Sequence, residues 1–139
     1  MASINVHLQQ ADLNERAALD NRIKHPHVCI IMCFYAALHY VEAYAAWCGD
    51  DIYQLYSGGL SQHNRRSKYV DDIATVNDLI DLPLAYEKLY QASMRARYLQ
   101  GIQTNSVHYF RVGTDFYIKQ LETVKVELRI DSLKDPENS

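Results

Sequence analysis

Apolar residues along this chain recur mostly at spacings of three and four, the rhythm of amphipathic helices. Leu8, Ala11, Ala18, Leu19 and Ile23 stand among charged residues and predict a first helix over about Leu8 to Ile23. His25-Pro26-His27 interrupts it, and Pro26 suits the first turn of a second helix. That helix runs to Cys48, is stopped by Gly49, and is apolar nearly all round, as expected of the central helix of a bundle. Gly49 to Leu60 reads as a connector with Gly58-Gly59 as its hinge and room for a short turn at Ile52 to Tyr56. Ser61 is a suitable N-cap for a third helix whose inward stripe is Tyr69, Ile73, Val76 and Ile80. Pro83 opens a fourth, with Ala85, Leu89, Ala92, Ala96 and Leu99 inward and Gly101 at its end. Ser106 opens a fifth through Phe110, Thr114, Tyr117, Leu121, Val124 and Leu128.

One stretch fits two periods. Val124, Val126, Leu128 and Ile130 alternate with Lys125, Glu127 and Arg129, as in a half-buried strand. A strand with no partner leaves its backbone unsatisfied, so helix is the expectation. The fold class is therefore all-α, a bundle with five helical segments. Residues 1–131 form a single domain, and the polar residues 132–139 form a frayed tail.

Composition narrows this reading. Gly (5) and Pro (3) make up about 6% of 139 residues, which excludes collagen-like or linker-like material and disfavours a turn-rich β protein. Cys29, Cys33 and Cys48 are odd in number, which suits reduced thiols and a cytoplasmic setting better than a disulfide framework. The first ten residues lack the basic and apolar regions of a signal peptide. Val28 to Cys48 is broken only by His39 and Glu42 and is long enough to span a bilayer. Two ionisable groups near its middle favour a buried helix and no membrane. A net charge of -3 gives no global pull toward polyanions. The cations nevertheless gather at His63-Asn-Arg65-Arg66-Ser-Lys68 and at Arg95-Ala-Arg97. Eleven tyrosines are unusual for the length.

Three constellations could carry chemistry. Tyr35, His39 and Glu42 fall within about 60° on the central helix, so an imidazole stands between a phenol and a carboxylate. That group could act as acid or base, or it could be a buried histidine satisfied internally. His63 and Arg66 project onto the inward stripe of the third helix near its N-terminus, with Arg65 pointing outward. An arginine there needs an anion, an open cleft or a structural partner such as Glu42. Ser93-Met-Arg95-Ala-Arg97-Tyr98 interleaves arginine with tyrosine, with Tyr86 and Tyr90 on the Arg97 face. That pattern could stack bases and hold phosphates, or simply rim an amphipathic helix. His25, His27 and the cysteines lack a second ligand pair at zinc-site spacing, so a small metalloprotein is the least favoured reading, and no metal or cofactor is expected.

Together these motifs carry a family resemblance. Phe34-Tyr35-Ala-Ala-Leu-His39-Tyr-Val-Glu42-Ala-Tyr44, then His63-Asn-Arg65-Arg66, then Tyr86-x-x-Leu89-Tyr90-x-x-Ser93-x-x-Ala96-Arg97-Tyr98 resemble the HEPN (higher eukaryotes and prokaryotes nucleotide-binding) superfamily over about residues 26 to 100. The resemblance implies an HEPN-like up-and-down bundle of four to five helices that commonly dimerises. It also implies either metal-independent ribonucleases of defence or toxin–antitoxin systems, or modules that bind nucleotides or partner proteins. The ribonuclease members carry an arginine and a histidine separated by four to six residues near the start of a late helix. Here the literal match, Arg22 to His27, lies between the first two helices, so the chain reads as a divergent member. The variant site expected instead has His63, Arg66 and His39 as catalytic residues. Tyr35, Glu42, Arg65, Arg95, Arg97 and Tyr98 would contact the RNA or nucleotide in a homodimer. The rival expectation is a catalytically inert helical module that regulates a partner protein encoded nearby, in which His39, Glu42 and Arg66 only fix the fold.

Overall fold

The computed structural model describes residues 2–133. Its helices are α1 (Ile4–Asp20), α2 (Pro26–Cys48), the single turn α3 (Ile52–Leu55), α4 (Gln62–Asn77), α5 (Leu82–Tyr98), the single turn α6 (Ser106–Tyr109) and α7 (Thr114–Glu127). A short 3-10 turn, Ile130–Ser132, follows, and no strand occurs among the described residues. The protein is an all-α helical bundle.

Helix α2 is the hub. It packs along α1 on one side and on α5 and α7 on the other, and only its edge meets α4. By length and composition α2 could cross a membrane, but most of its apolar surface lies inside the bundle. Small side chains let α1 approach closely: Ala11 and Ala18 meet Cys29, Cys33, Ala36, Ala37 and Ala43 in a core where all are essentially inaccessible. A polar strut ties three helices together across this packing. The Tyr40 hydroxyl donates to Glu15 Oε1 at 2.7 Å, and Lys125 Nζ donates to Glu15 Oε2 at 3.0 Å.

The local start and stop signals operate with some displacement. Ser3 caps α1 by accepting from the Val6 N–H, so this helix starts four residues before Leu8 and ends at Asp20. Ser61 caps α4 through the Asn64 N–H, as its sequence suggests. α5 ends at Leu99, which itself takes a left-handed φ of 55°, two residues before Gly101. The expected fifth helix is split. Asn105 caps α6 through the His108 N–H, Phe110 is buried in a turn, and Gly113 precedes α7.

Two positions assigned to the inward stripe of α4 face water. Val76 is 80% exposed because α4 leaves the core near its end, and Ile80 is 83% exposed because it lies beyond the helix, after the left-handed Asp78. The stretch of mixed periodicity is helical to Glu127. Val124 and Leu128 are buried while Val126 is exposed, so the period is that of a helix. Order continues past the expected start of the tail: Ser132 is in the 3-10 turn and Leu133 is buried. The rest of that tail lies outside the described residues.

Gly49 closes α2 at φ 76°, a left-handed conformation in which a Cβ is strained although no atom crowds it. Gly49→Ala is expected to lower stability by about 1 kcal/mol. Tyr40→Phe removes one strut of the Glu15 bridge and is expected to lose a comparable amount, about 1 kcal/mol. Urea denaturation midpoints at unchanged slope measure both.

Candidate functional site

A fully covered α2 would be inert, but one stripe of it is only half covered. Val28, Ile31, Met32, Tyr35, His39, Glu42 and Ala46 are partly accessible, at the three- and four-residue spacing of one helix face. His7 on α1, Arg66 on α4 and Arg97 on α5 reach this stripe from three helices. Tyr35, His39 and Glu42 therefore share a face, as their spacing predicts, but each has a partner from a different helix.

Along the stripe lies a cleft of about 420 Å³ lined by His7, His39, Glu42, Asp51, Tyr53, Gln62 and Arg66, among others. The Nδ1 atoms of His7 and His39 are 3.1 Å apart, with ring centroids at 5.3 Å and planes inclined by 32°. One ring must donate its Nδ1–H and the other accept, so in their neutral forms the two hold opposite tautomers. Both imidazoles titrate below their usual 6.5. For His39 burial is the main cause, followed by its neighbours His7 and Arg66, against an opposing pull from Glu42. For His7 burial again leads, with Glu42 raising and Arg66 lowering the value. Beside them Arg66 Nε donates to Glu42 Oε1 at 2.8 Å, with about a fifth of each side chain accessible. That contact uses only Nε. Among the described residues the two terminal guanidinium nitrogens have no hydrogen-bond partner.

His63 does not line this cleft. Its ring stacks on Tyr90, with centroids 3.3 Å apart and planes 7° from parallel, and beyond it on Tyr86. The start of α4 lies against α5, so His63, two residues after the N-cap, meets an aromatic wall before it can reach α2. Burial lowers the His63 pKa, with Glu87 opposing and Arg66 assisting. Its Nδ1 is buried without a partner among the described residues.

Arg65, expected to point outward, is buried. Its Nε donates to the Tyr56 carbonyl at 2.8 Å and its guanidinium lies 4.3 Å above the Tyr53 ring. The connector folds back over α4 as α3 and covers the face that a helical projection leaves in solvent. Tyr56–Asp72 and Tyr69–Asp50 hydrogen bonds fasten the same connector.

Arg97 donates from Nη1 to the Tyr35 hydroxyl at 2.9 Å, and its guanidinium stands 5.5 Å from the Tyr35 ring and 5.2 Å from that of Tyr98. Its aromatic partners are thus Tyr35 and Tyr98. Tyr86 is buried in the core, and Tyr90 lies under His63. Arg95 leaves this face and lines a groove with Tyr117 of α7. The rings of His25 and His27 meet edge to face at 6.2 Å while Cys29 and Cys33 are buried, and among the described residues no three His, Cys, Asp or Glu side chains converge on a metal position.

His7 is the residue that reading the sequence misses. An expected helix start at Leu8 leaves it in an unstructured end, whereas Ser3 as N-cap would have placed it on α1. No protein-family model, curated protein or solved structure matches the chain.

His7, His39 and His63 all resist protonation in the folded state, while in the unfolded chain they titrate near 6.5. The unfolded state then binds more protons at mildly acid pH. Their contribution to stability is complete above 6.5 and is lost progressively as pH falls below it toward the depressed native values. His63→Phe keeps a flat ring against Tyr90 and takes no proton, so its stability is expected to fall less than the wild type's between pH 7 and pH 5. Denaturation midpoints measured across that range check this, and parallel curves would show that His63 does not titrate as described.

Proposed function

We propose that the cleft binds the phosphate of RNA or a nucleotide and supports metal-independent RNA cleavage, as in HEPN-like domains. The observation that carries the reading is the contact of two imidazoles, His7 and His39, next to an arginine whose fork is open to the cleft. Two hydrogen-bonded histidines can divide acid and base work, because a proton taken at one ring can be passed through the Nδ1–Nδ1 contact and released from the other.

The residues suit one sequence of events. The ring that donates its Nδ1–H has a free Nε2, which takes the proton of a ribose 2′-hydroxyl as the 2′-oxygen attacks the adjacent phosphorus. Its Nδ1 proton passes to the second ring, the bond to the 5′-oxygen breaks, and that oxygen takes the second ring's Nε2 proton, leaving a 2′,3′-cyclic phosphate. Arg66, aimed by Glu42 through Nε, offers its terminal nitrogens to the developing negative charge. Both imidazoles titrate below 6.5, so the neutral pair prevails above that value and cleavage is expected to fall as the pH drops below it.

Labelled RNA incubated with pure protein in EDTA tests this. His39→Ala and His7→Ala are expected to reduce cleavage at least about 100-fold at unchanged melting temperature. Arg66→Ala leaves Glu42 half-buried without its cation, so Arg66→Lys, which keeps the charge and loses the fork, is the informative variant. It is expected to weaken binding about tenfold while remaining folded. The rival reading, an inert interaction module, is favoured by one observation: the Arg66–Glu42 pair already joins α2 to α4. It prevails if the wild type neither cuts nor binds RNA and Arg66→Ala unfolds the domain.

A further inference from the structure

Charge is segregated along this chain and, as a result, around the bundle. From Lys88 to Thr114 there is no carboxylate, while Lys88, Arg95, Arg97 and Arg111 all fall in that stretch. The end of α5 and α6 pack on the start of α2, where Ile30, Ala92, Ala96 and Phe110 form a small core of their own. The turn joining α1 to α2 reaches the same end and adds the exposed Arg22 and Lys24. Asp50, Asp51, Asp71, Asp72, Asp78 and Asp81 lie away from it, on the connector, α4 and the turn before α5, with Asp51 lining the cleft, while Asp20 and Asp115 border the cationic end.

Between the cationic end and the cleft stands the Tyr35–Arg97–Tyr98 group. Arg97 is approached by a ring on each side, at 5.5 Å and 5.2 Å, and among the described residues no carboxylate pairs with it. Tyr98 is 61% exposed, so its ring is open to a flat partner. Tyr35 precedes His39 by one turn of α2, about 6 Å along the axis. That rise corresponds to one or two steps of a stacked strand at ~3.4 Å each.

We infer that Tyr98, backed by Arg97 and Tyr35, is a base-stacking platform for single-stranded RNA whose neighbouring phosphate occupies the His7–His39 cleft. This rests on the RNA reading of that cleft and specifies the form of RNA it takes. A duplex keeps its base faces stacked internally and cannot use an exposed ring, whereas a single strand can. Arg97 serves twice, as a cation for the backbone and as a planar support beneath the stacked base.

The test measures binding of a fluorescent single-stranded octaribonucleotide and of a duplex of the same length by anisotropy, together with cleavage of the single strand in EDTA. Tyr98→Ala is expected to weaken single-strand binding roughly tenfold, Tyr98→Phe to restore it, and Arg97→Lys to lie between. The duplex is expected to bind at least about tenfold more weakly than the single strand and to be indifferent to Tyr98. If Tyr98→Ala binds the octamer as the wild type does, or if the duplex binds as well as the single strand, the platform is wrong. In that case loss of cleavage in His39→Ala still upholds the cleft. If the octamer is bound through Tyr98 but never cut, the platform stands and the catalytic reading falls. If the wild type binds no RNA, both are overturned.

Discussion

A 23-residue helix carrying hardly any polar side chain can exist in water only if its neighbours cover it. The remainder of the chain is organised around that requirement. α1 supplies a surface of alanines so that its backbone can come close, and α5 and α7 supply larger side chains on the opposite flank. Glu15, Tyr40 and Lys125 then join α1, α2 and α7 with partly buried polar contacts. Those groups are satisfied, so their burial sustains the packing and fixes how the three helices face one another.

Coverage stops short of complete, and chemistry gathers along the uncovered line. The polar residues of α2 lie on the stripe that α1, α4 and α5 leave half open, and each neighbour contributes one side chain to it. His7, Arg66 and Arg97 come from positions far apart in the chain. Burial keeps both imidazoles in the neutral form, and pairing of Glu42 with Arg66 holds a guanidinium at the edge of the cleft. Charge is offset locally there, while the cationic surplus lies further along at the end of α5.

The tyrosines divide along the same line. Tyr69 and Tyr86 fill the core, and Tyr40 and Tyr69 donate hydrogen bonds to carboxylates; burial first and those carboxylates second raise their pKa values well above the usual 10. Tyr53 lies beneath Arg65, and Tyr90 beneath His63. Tyr35 and Tyr98 remain at the surface beside Arg97. Much of the aromatic excess is thus core and fastening, with a small accessible remainder.

Periodicity and caps by themselves determined the all-α class, the central position and both ends of α2, the cap at Ser61, and the shared face of Tyr35, His39 and Glu42. These are local properties, set by the 3.6-residue repeat and by hydrogen bonds to neighbours three residues away. The fate of Arg65, Arg66 and His63 was not legible, because a projection of one helix contains no information about what folds over it. Only the tertiary structure brought the connector across Arg65, placed Tyr90 under His63, and gave Arg66 to Glu42. His7 and His39 are 32 residues apart and meet only because α1 lies against α2. One helix can give a side chain its direction, but the group that receives it comes from the packing of the others.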